Sequence, residues 1–157
     1  MFREMRRADK LKSAEETEKI LESCTNGVLS VIGDEGYPYG VPVSYVYEDQ
    51  KIFFHCAAAG GHKIEAIRKE PKVSFTVVGA DEIAAEKFTT VYKSVIAFGK
   101  ARIVEDDAEK KAILDKIIAK YSKDFWDGGM KYIEAEWDNT LTVVIDIQHL
   151  TGKGLAK

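Results

Sequence analysis

The chain has 157 residues, of which 45% are hydrophobic and 31% are charged, and its net charge is −3. This length suits one domain with a sizeable core, and the composition is that of an ordinary globular protein. The negative net charge argues against nucleic acid as a partner, because proteins that bind it usually present a basic face. A basic cluster in the first 12 residues is interrupted by Glu4 and Asp9, which is typical of a solvated N-terminal arm.

The two cysteines, Cys24 and Cys56, are too few to form a disulfide framework in a chain of this length. The sequence shows neither the apolar core of a signal peptide nor a run long enough to span a membrane. We therefore expect free thiols, a cytoplasmic protein and no membrane partner.

The helices are predicted from capping signals and from apolar residues at helical spacing. Ser13 is a plausible N-cap, and Glu16 three positions later completes a capping box for a helix over residues 13–24. The other predicted helices cover residues 62–69, 106–121 and 130–136.

Six strands are predicted, over residues 28–32, 40–47, 51–56, 72–79, 91–104 and 141–147. Tight turns join the first three strands, which predicts an antiparallel meander, and residues 80–89 are expected to form a loop or a helical fragment. Pro42 has no N–H to donate, so it is expected at an edge, a bulge or a ligand-facing break. Gly99 suggests a bulge or bend.

Six strands with helices at the ends predict a closed or half-closed antiparallel barrel. Residues 1–157 are interpreted as a single domain, mainly β with flanking helices, with an N-terminal arm over 1–12 and a polar tail over 151–157. The apolar alternation along the strands is incomplete, which fits strands covered on their outer face by a partner subunit.

A phosphate site is predicted where the third strand runs into the second helix, over residues 52–63. The strand passes through small residues and two glycines, Gly60 and Gly61, before a helix that opens on His62 and Lys63. Backbone N–H groups are unpaired at a helix start, and the helix dipole adds a partial positive charge. Basic residues are unfavourable there by about 0.3–1 kcal/mol, so a bound anion explains them better than chance does.

His55 and Cys56 are neighbours in the third predicted strand and invite comparison with a zinc site. Adjacent strand residues point to opposite faces, so these two side chains cannot easily share a metal ion. From the residues alone, His55 is either a structural histidine of the core or of an interface, or part of a site.

The motifs together resemble one known family. They lie at residues 5–7, 36–45, 54–63, 70–73 and 92–99. From Met5 to about Lys153 the chain is similar to the pyridoxamine 5′-phosphate oxidase-like superfamily of FMN-binding split barrels. Within that superfamily it most resembles the 5-nitroimidazole resistance branch, whose members are nitroimidazole reductase-like.

The resemblance implies a six-stranded antiparallel Greek-key split β-barrel of the FMN-binding type. It also implies a homodimer with FMN in two clefts at the subunit interface. A histidine matching His55 sits near flavin and substrate in that branch, which makes His55 the candidate catalytic residue. The implied cofactor-binding positions are Val41, Pro42, Val43 and Ser44 along the isoalloxazine ring, Phe54, His55, Cys56, Ala57, Gly61, His62 and Lys63 at the ribityl and phosphate groups, and Ser94 from across the dimer.

Two departures from the oxidase pattern limit what the resemblance implies. The oxidase has an Arg-Lys pair where His62 and Lys63 stand, so one permanent positive charge is missing from the phosphate site. The C-terminal Trp and Arg-rich substrate segment of the oxidase is also missing, which removes most of the support for vitamin B6 oxidation.

The function that follows from the resemblance is an FMN-dependent oxidoreductase. Such a protein would take hydride from NADH or NADPH and pass electrons to a small planar acceptor such as a nitroaromatic. Two alternatives stay open, namely a non-enzymatic flavin-binding or sensing module and a related barrel that holds haem or a deazaflavin.

Overall fold

The computed structural model describes residues 1–155, which form a seven-stranded antiparallel sheet flanked by four α-helices. The strands are β1 Asn26–Ile32, β2 Pro38–Ser44, β3 Val46–Glu48, β4 Lys51–Ala57, β5 Lys72–Ala84, β6 Thr89–Ile103 and β7 Thr140–Gly154. The helices are α1 Ala14–Ser23, α2 His62–Lys69, α3 Asp107–Tyr121 and α4 Trp126–Ala135. Over residues 1–155, no helix combines the length and the apolar character that a membrane crossing requires.

The sheet is a barrel left open between its two edge strands. The strand order is β2-β1-β5-β6-β7-β4-β3, so β2 and β3 lie at opposite edges. Only Tyr45 separates the end of β2 from the start of β3 in the chain. Since consecutive Cα atoms are about 3.8 Å apart, the sheet must curl until these two edges approach each other. The predicted split barrel, mainly β with flanking helices, is therefore confirmed.

The predicted count of six strands and the predicted meander are wrong for one reason. The run 40–47 is not one strand, because the chain leaves one edge of the sheet at Ser44 and enters the other at Val46. As a result β2 pairs with β1, and β3 pairs with β4, whereas β2 and β4 are not neighbours. Pro42 lies in edge strand β2 opposite Val28, at a position where a missing N–H is tolerated.

The barrel interior is filled by alternate side chains of the strands and closed by two helices. Val73, Phe75 and Val77 of β5 are buried at every second position, as their alternation predicts. α1 contributes Ile20 and Leu21 to this core, and α2 contributes residues 64, 66 and 67. The predicted capping box of α1 is confirmed, since Ser13 Oγ accepts from the Glu16 N–H at 3.2 Å and a Glu16 carboxylate oxygen accepts from the Ser13 N–H at 3.0 Å.

A second apolar cluster lies outside the barrel, beneath α3. Phe53 of β4 and Val144 of β7 point away from the interior and pack with Val46, Val104 and Ile113. Because α3 covers these positions, β4 and β7 are buried on both faces. At these positions a helix of the same chain accounts for the apolar residues on the outer face, and cover by a partner subunit elsewhere on the sheet stays a prediction.

Several predicted boundaries are corrected by pairing that local sequence does not reveal. β5 continues to Ala84 in a long hairpin with β6, so residues 80–84 are strand. β7 continues to Gly154, with Thr151 opposite Ile96 and Lys153 opposite Ser94, so residues 151–154 belong to the sheet and not to a polar tail. Residues 156–157 of that predicted tail lie outside the described residues.

The bulge predicted at Gly99 is confirmed by a shift in the β6–β7 register between Phe98 and Gly99. A Cβ at Gly99 would overlap the backbone carbonyl oxygen of Asp146. We expect Gly99→Ala to lower the free energy of unfolding by about 1–3 kcal/mol, because backbone of β7 must move to relieve the overlap. Urea unfolding measures this change. Gly128→Ala is the matched control, because a Cβ at this position of α4 meets nothing within 4 Å, and it should raise stability by up to about 1 kcal/mol.

Candidate functional site

The start of α2 carries backbone donors that the fold leaves without acceptors. Gly60 and Gly61 have φ values of +77° and +117°, which suit glycine, and Gly61 is an N-cap with no side-chain hydrogen bond. The Gly61 carbonyl accepts from the N–H groups of Ile64 and Glu65. Within residues 1–155, the N–H groups of His62 and Lys63 have no acceptor. These donors and the positive end of the helix dipole favour an anion at this position.

Lys63 adds a full positive charge at the same end of α2. Within the described part of the chain its ammonium makes no hydrogen bond and no ion pair. It lies close enough to Cys56 to oppose the effect of burial, which raises the pKa of the Cys56 thiol. An uncompensated cation beside bare N–H groups fits a phosphate group.

His62 is held by the hairpin turn between β1 and β2. Its Nε2 accepts a hydrogen bond from the Asp34 N–H at 3.0 Å, and its ring stacks on Tyr39 with centroids 4.2 Å apart. Because Nε2 is an acceptor here, the neutral ring carries its proton on Nδ1, which remains able to donate to a ligand. In this arrangement His62 offers a hydrogen-bond donor at Nδ1.

A cavity of about 360 Å³ lies between the outer side of the barrel and the α3–α4 pair. Ser44 at the end of edge strand β2 and His55 of β4, the strand next to edge strand β3, both line it. Both sides of the barrel opening therefore contribute to one cavity. The remaining lining is mostly apolar and comes from the helices. It consists of Leu114, Ile117, Ile118, Tyr121, Ser122, Tyr132, Ile133 and Glu136, with Thr140 of β7.

A buried hydroxyl lies beside His55. Thr142 of β7 is directly opposite His55 across the β4–β7 ladder, and opposed side chains of such a pair share a face. The Thr142 Oγ1 atom is fully buried and has no hydrogen-bond partner among the described residues. The imidazole of His55 makes no hydrogen bond within residues 1–155 either. His55 is therefore the unpartnered polar group that faces the cavity, with a buried unpartnered hydroxyl next to it in the sheet.

His55 is an exposed residue, but the helices α3 and α4 pack close to its side chain and displace part of the water around it. Burial lowers the pKa of the His55 imidazole below its ordinary value of 6.5, because the charged ring loses water. At neutral pH His55 is therefore uncharged, with one nitrogen able to donate and the other able to accept.

Because the pKa of His55 is lowered in the folded protein, the free energy of unfolding should decrease at acidic pH. Below about pH 6.5 the unfolded chain takes up a proton that the folded ring resists, so the free energy of unfolding falls as the pH is lowered through this range. Replacing His55 with glutamine should make this decline shallower, which urea unfolding at several pH values measures. His149→Gln is the control for loss of an imidazole elsewhere, and an equal flattening by both variants would contradict the assignment to His55.

The other predicted site residues lie on both sides of the barrel wall. Phe54 and Cys56 point into the interior with Val41 and Val43, so their side chains pack behind the site and do not line it. Pro42 and Ala57 alternate with these residues and point outward. Cys56 and His55 thus lie on opposite faces of β4, as their adjacency predicts.

Ser94 points outward from β6, in the middle of the sheet. Three strand spacings separate β6 from β2, which corresponds to about 14 Å. One chain therefore does not bring Ser94 to Ser44.

Two features of the site were not predicted from the sequence. The first is that Tyr39 stacks on His62. Tyr39 lies two residues before Val41, and this spacing indicates that both side chains point to the inward face of β2. The wall formed by α3 and α4 was also missed. The spacing of Ile117, Ile118 and Tyr121 indicates an apolar helix face, but not the surface on which that face packs.

The chain was compared with known proteins. A family model described as pyridoxamine 5′-phosphate oxidase matches residues 13–154. No curated protein matches the chain in sequence.

Three solved structures illustrate the similarity of fold. A candidate 5-nitroimidazole antibiotic resistance protein from Bacteroides thetaiotaomicron is 23% identical with a TM-score of 0.76, over 92% of this chain and 85% of that one. The flavocytochrome Anf3 from Azotobacter vinelandii is 20% identical with a TM-score of 0.80, over 98% of this chain and 73% of that one. An FAD-binding protein from Mesorhizobium loti is 25% identical with a TM-score of 0.65, over 94% of this chain and 98% of that one.

The family model spans nearly the whole described chain, and the matched structures share its open barrel. The chain belongs to the pyridoxamine 5′-phosphate oxidase family of split-barrel proteins.

Proposed function

We propose that this protein is an FMN-dependent oxidoreductase that takes electrons from NADH or NADPH and passes them to a small planar acceptor such as a nitroaromatic. The observation that carries the proposal is the start of α2, where bare N–H groups of His62 and Lys63 meet an ammonium with no partner in the described chain. This arrangement fits the terminal phosphate of FMN. The names of two matched structures, an FAD-binding protein and a flavocytochrome, support a flavin.

The residues of this chain divide the work of such a site. The α2 start and the Lys63 ammonium would hold the phosphate, and the Nδ1–H of His62 would add a neutral donor. The outward residues of β2, including Pro42 and Ser44, would lie along the ring system at the barrel opening. A bound flavin supplies the hydride and electron transfer that amino-acid side chains cannot supply.

His55 would act on the acceptor and not on the flavin phosphate. It lines the cavity beneath α3 and α4 with Ser44 and lies opposite the unpartnered hydroxyl of Thr142. A neutral imidazole there can orient a polar group of the acceptor by donating to it, or can transfer a proton to it. The apolar remainder of the cavity suits a flat aromatic body.

A homodimer would complete the site. The outer face of the sheet exposes Val28, Ile32, Ile96 and Phe98, and an apolar face of this kind is typical of a subunit contact. Ser94 points outward from the same face. A second copy packed there would bring its own Ser94 towards the flavin of the first. Sedimentation analysis that finds only monomer at micromolar concentration would contradict this arrangement.

The visible spectrum of the purified protein tests the proposal. Flavin absorbance that survives desalting, followed by bleaching on anaerobic mixing with NADH or NADPH, is the expected result. Retained flavin that neither donor reduces would favour the alternative of a non-enzymatic flavin-binding or sensing module. A Soret band or a deazaflavin spectrum in place of FMN would overturn the cofactor assignment.

A further inference from the structure

The cavity beneath α3 and α4 has an asymmetric charge. Among the described residues that line it, Glu136 is the one carboxylate, and none is a lysine or an arginine. The other lining side chains are apolar, hydroxyl-bearing or, at His55, an imidazole, and none of them carries a permanent positive charge. An entering ligand therefore meets a negative group and no positive one.

The position of Glu136 reinforces the negative potential. Glu136 is the C-cap of α4, where the helix dipole contributes a partial negative charge. Its carbonyl accepts from the Asn139 N–H and from the Thr140 hydroxyl, and one carboxylate oxygen accepts from the Asn139 amide at 3.1 Å. These bonds hold the residue in place, and among the described residues its carboxylate makes no ion pair.

Two lysines of α3, the helix that forms part of the cavity wall, are engaged elsewhere. The Lys120 ammonium donates to the carbonyls of Cys24 and Tyr45, and the Lys110 ammonium donates to the carbonyl of Trp137. Neither side chain lines the cavity. The burial that lowers the pKa of His55 keeps that ring neutral at pH 7, so it does not offset the carboxylate.

We propose that Glu136 is a specificity-determining residue that excludes anionic acceptors, so that the cavity takes neutral or cationic planar aromatic compounds. The inference rests on the proposed function in treating the cavity as the acceptor site. It separates this protein from a phosphate-bearing substrate class such as pyridoxamine phosphates, because a phosphate monoester would meet repulsion here and no cation.

Three nitroaromatic probes that share one ring test the role of Glu136. They are 4-nitrobenzyl alcohol, which is neutral, 4-nitrobenzylamine, which is cationic at pH 7, and 4-nitrobenzoate, which is anionic. Calorimetry on the protein as purified, with the flavin that it retains, gives a Kd for each probe. We expect the neutral and cationic probes to bind at least about tenfold more tightly than the anion, and Glu136→Gln to reduce this ratio by about tenfold.

Glu134→Gln is the matched control, because Glu134 lies on the same helix with an exposed side chain and does not line this cavity. It should leave the ratio of affinities unchanged. Equal binding of anion and neutral probe by the native protein, an unchanged ratio in Glu136→Gln, or no binding of the neutral probe at millimolar concentration would each overturn the proposal. If Glu136→Gln does not fold, the charge series on the native protein still decides.

The binding ratios and the reductase assay can fail separately. A preserved ratio of affinities without reduction by NADH or NADPH would remove the proposed oxidoreductase function and leave the charge selectivity of the cavity. Reduction by NADH or NADPH together with equal affinities for the three probes would remove the charge selectivity of the cavity and leave the proposed oxidoreductase function.

Discussion

Replacing Lys63 with alanine should weaken FMN binding by about 1–3 kcal/mol, which is a rise in Kd of about five- to 150-fold. The physical reason is the loss of one charge-assisted bond to the phosphate at the start of α2, where the ammonium has no partner within residues 1–155. Fluorescence titration of the flavin-free protein with FMN measures the change.

Riboflavin distinguishes a phosphate contact from a general loss of the site, because it has the ring and the ribityl chain of FMN without the phosphate. Lys63→Ala should leave the Kd for riboflavin nearly unchanged. Lys69→Ala is the matched control, since this lysine is exposed in the last turn of the same helix. An equal loss of affinity for FMN and riboflavin, or unchanged FMN affinity, would contradict the phosphate assignment.

The backbone geometry of the proposed phosphate site could be predicted from sequence because its signals are local. Two glycines with positive φ, a strand end and a basic helix start lie within 12 consecutive residues, and the structure places them as the pattern indicates. The α1 capping box and the bulge at Gly99 could be predicted for the same reason. Each depends on residues close together in the chain or on one backbone constraint.

The split of the barrel at Tyr45 could not be predicted in this way. From sequence the run 40–47 is interpreted as one strand, because Gly40 and Pro42 lie before the point where the chain changes edges and Ser44 beside it does not by itself predict a break. What breaks the strand is the closure of the sheet, which depends on long-range pairing of β4 with β7 and of β6 with both β5 and β7. The length of the β5–β6 hairpin and the extension of β7 to Gly154 have the same origin.

The wall of the cavity beside His55 also depends on tertiary packing. Phe53 and Val144 are apolar residues on the outer face of the barrel, and only the docking of α3 explains them. The same docking places Tyr132 and Glu136 of the α4 region opposite His55. A sequence pattern can identify His55 as a polar residue in an apolar strand, but not the helices that make its surroundings poorly solvating.

Tyr45 is the second position where a large effect is expected. It joins the two edges of the barrel and is fully buried, and its hydroxyl donates to the Leu21 carbonyl at 2.6 Å. Its ring meets Phe75 edge to face at 5.0 Å, and the Lys120 ammonium lies over it at 4.6 Å. The backbone is held as well, because Tyr121 of α3 accepts from the Tyr45 N–H and Lys120 donates to the Tyr45 carbonyl.

Tyr45→Ala should therefore lower the free energy of unfolding by about 3–5 kcal/mol, because it removes a buried aromatic ring and leaves a cavity at the joint. Tyr45→Phe should cost about 1–2 kcal/mol, since it keeps the ring and leaves the Leu21 carbonyl without its donor. Urea unfolding at one fixed protein concentration measures both, because dimerisation would make stability depend on concentration.

Tyr37→Ala is the control, because Tyr37 is 74% exposed in the turn before β2, and it should change stability by no more than about 0.5 kcal/mol. Tyr45, which links β2 to β3, also sets the distance between Ser44 and His55 across the barrel opening. Tyr45→Ala should therefore weaken binding of 4-nitrobenzyl alcohol even where the protein remains folded. Tyr45→Phe keeps the packing of the joint and should bind the probe normally. If Tyr45→Ala changes the free energy of unfolding no more than Tyr37→Ala does, then α3 alone holds the edges of the barrel, and the packing of Tyr45 does not.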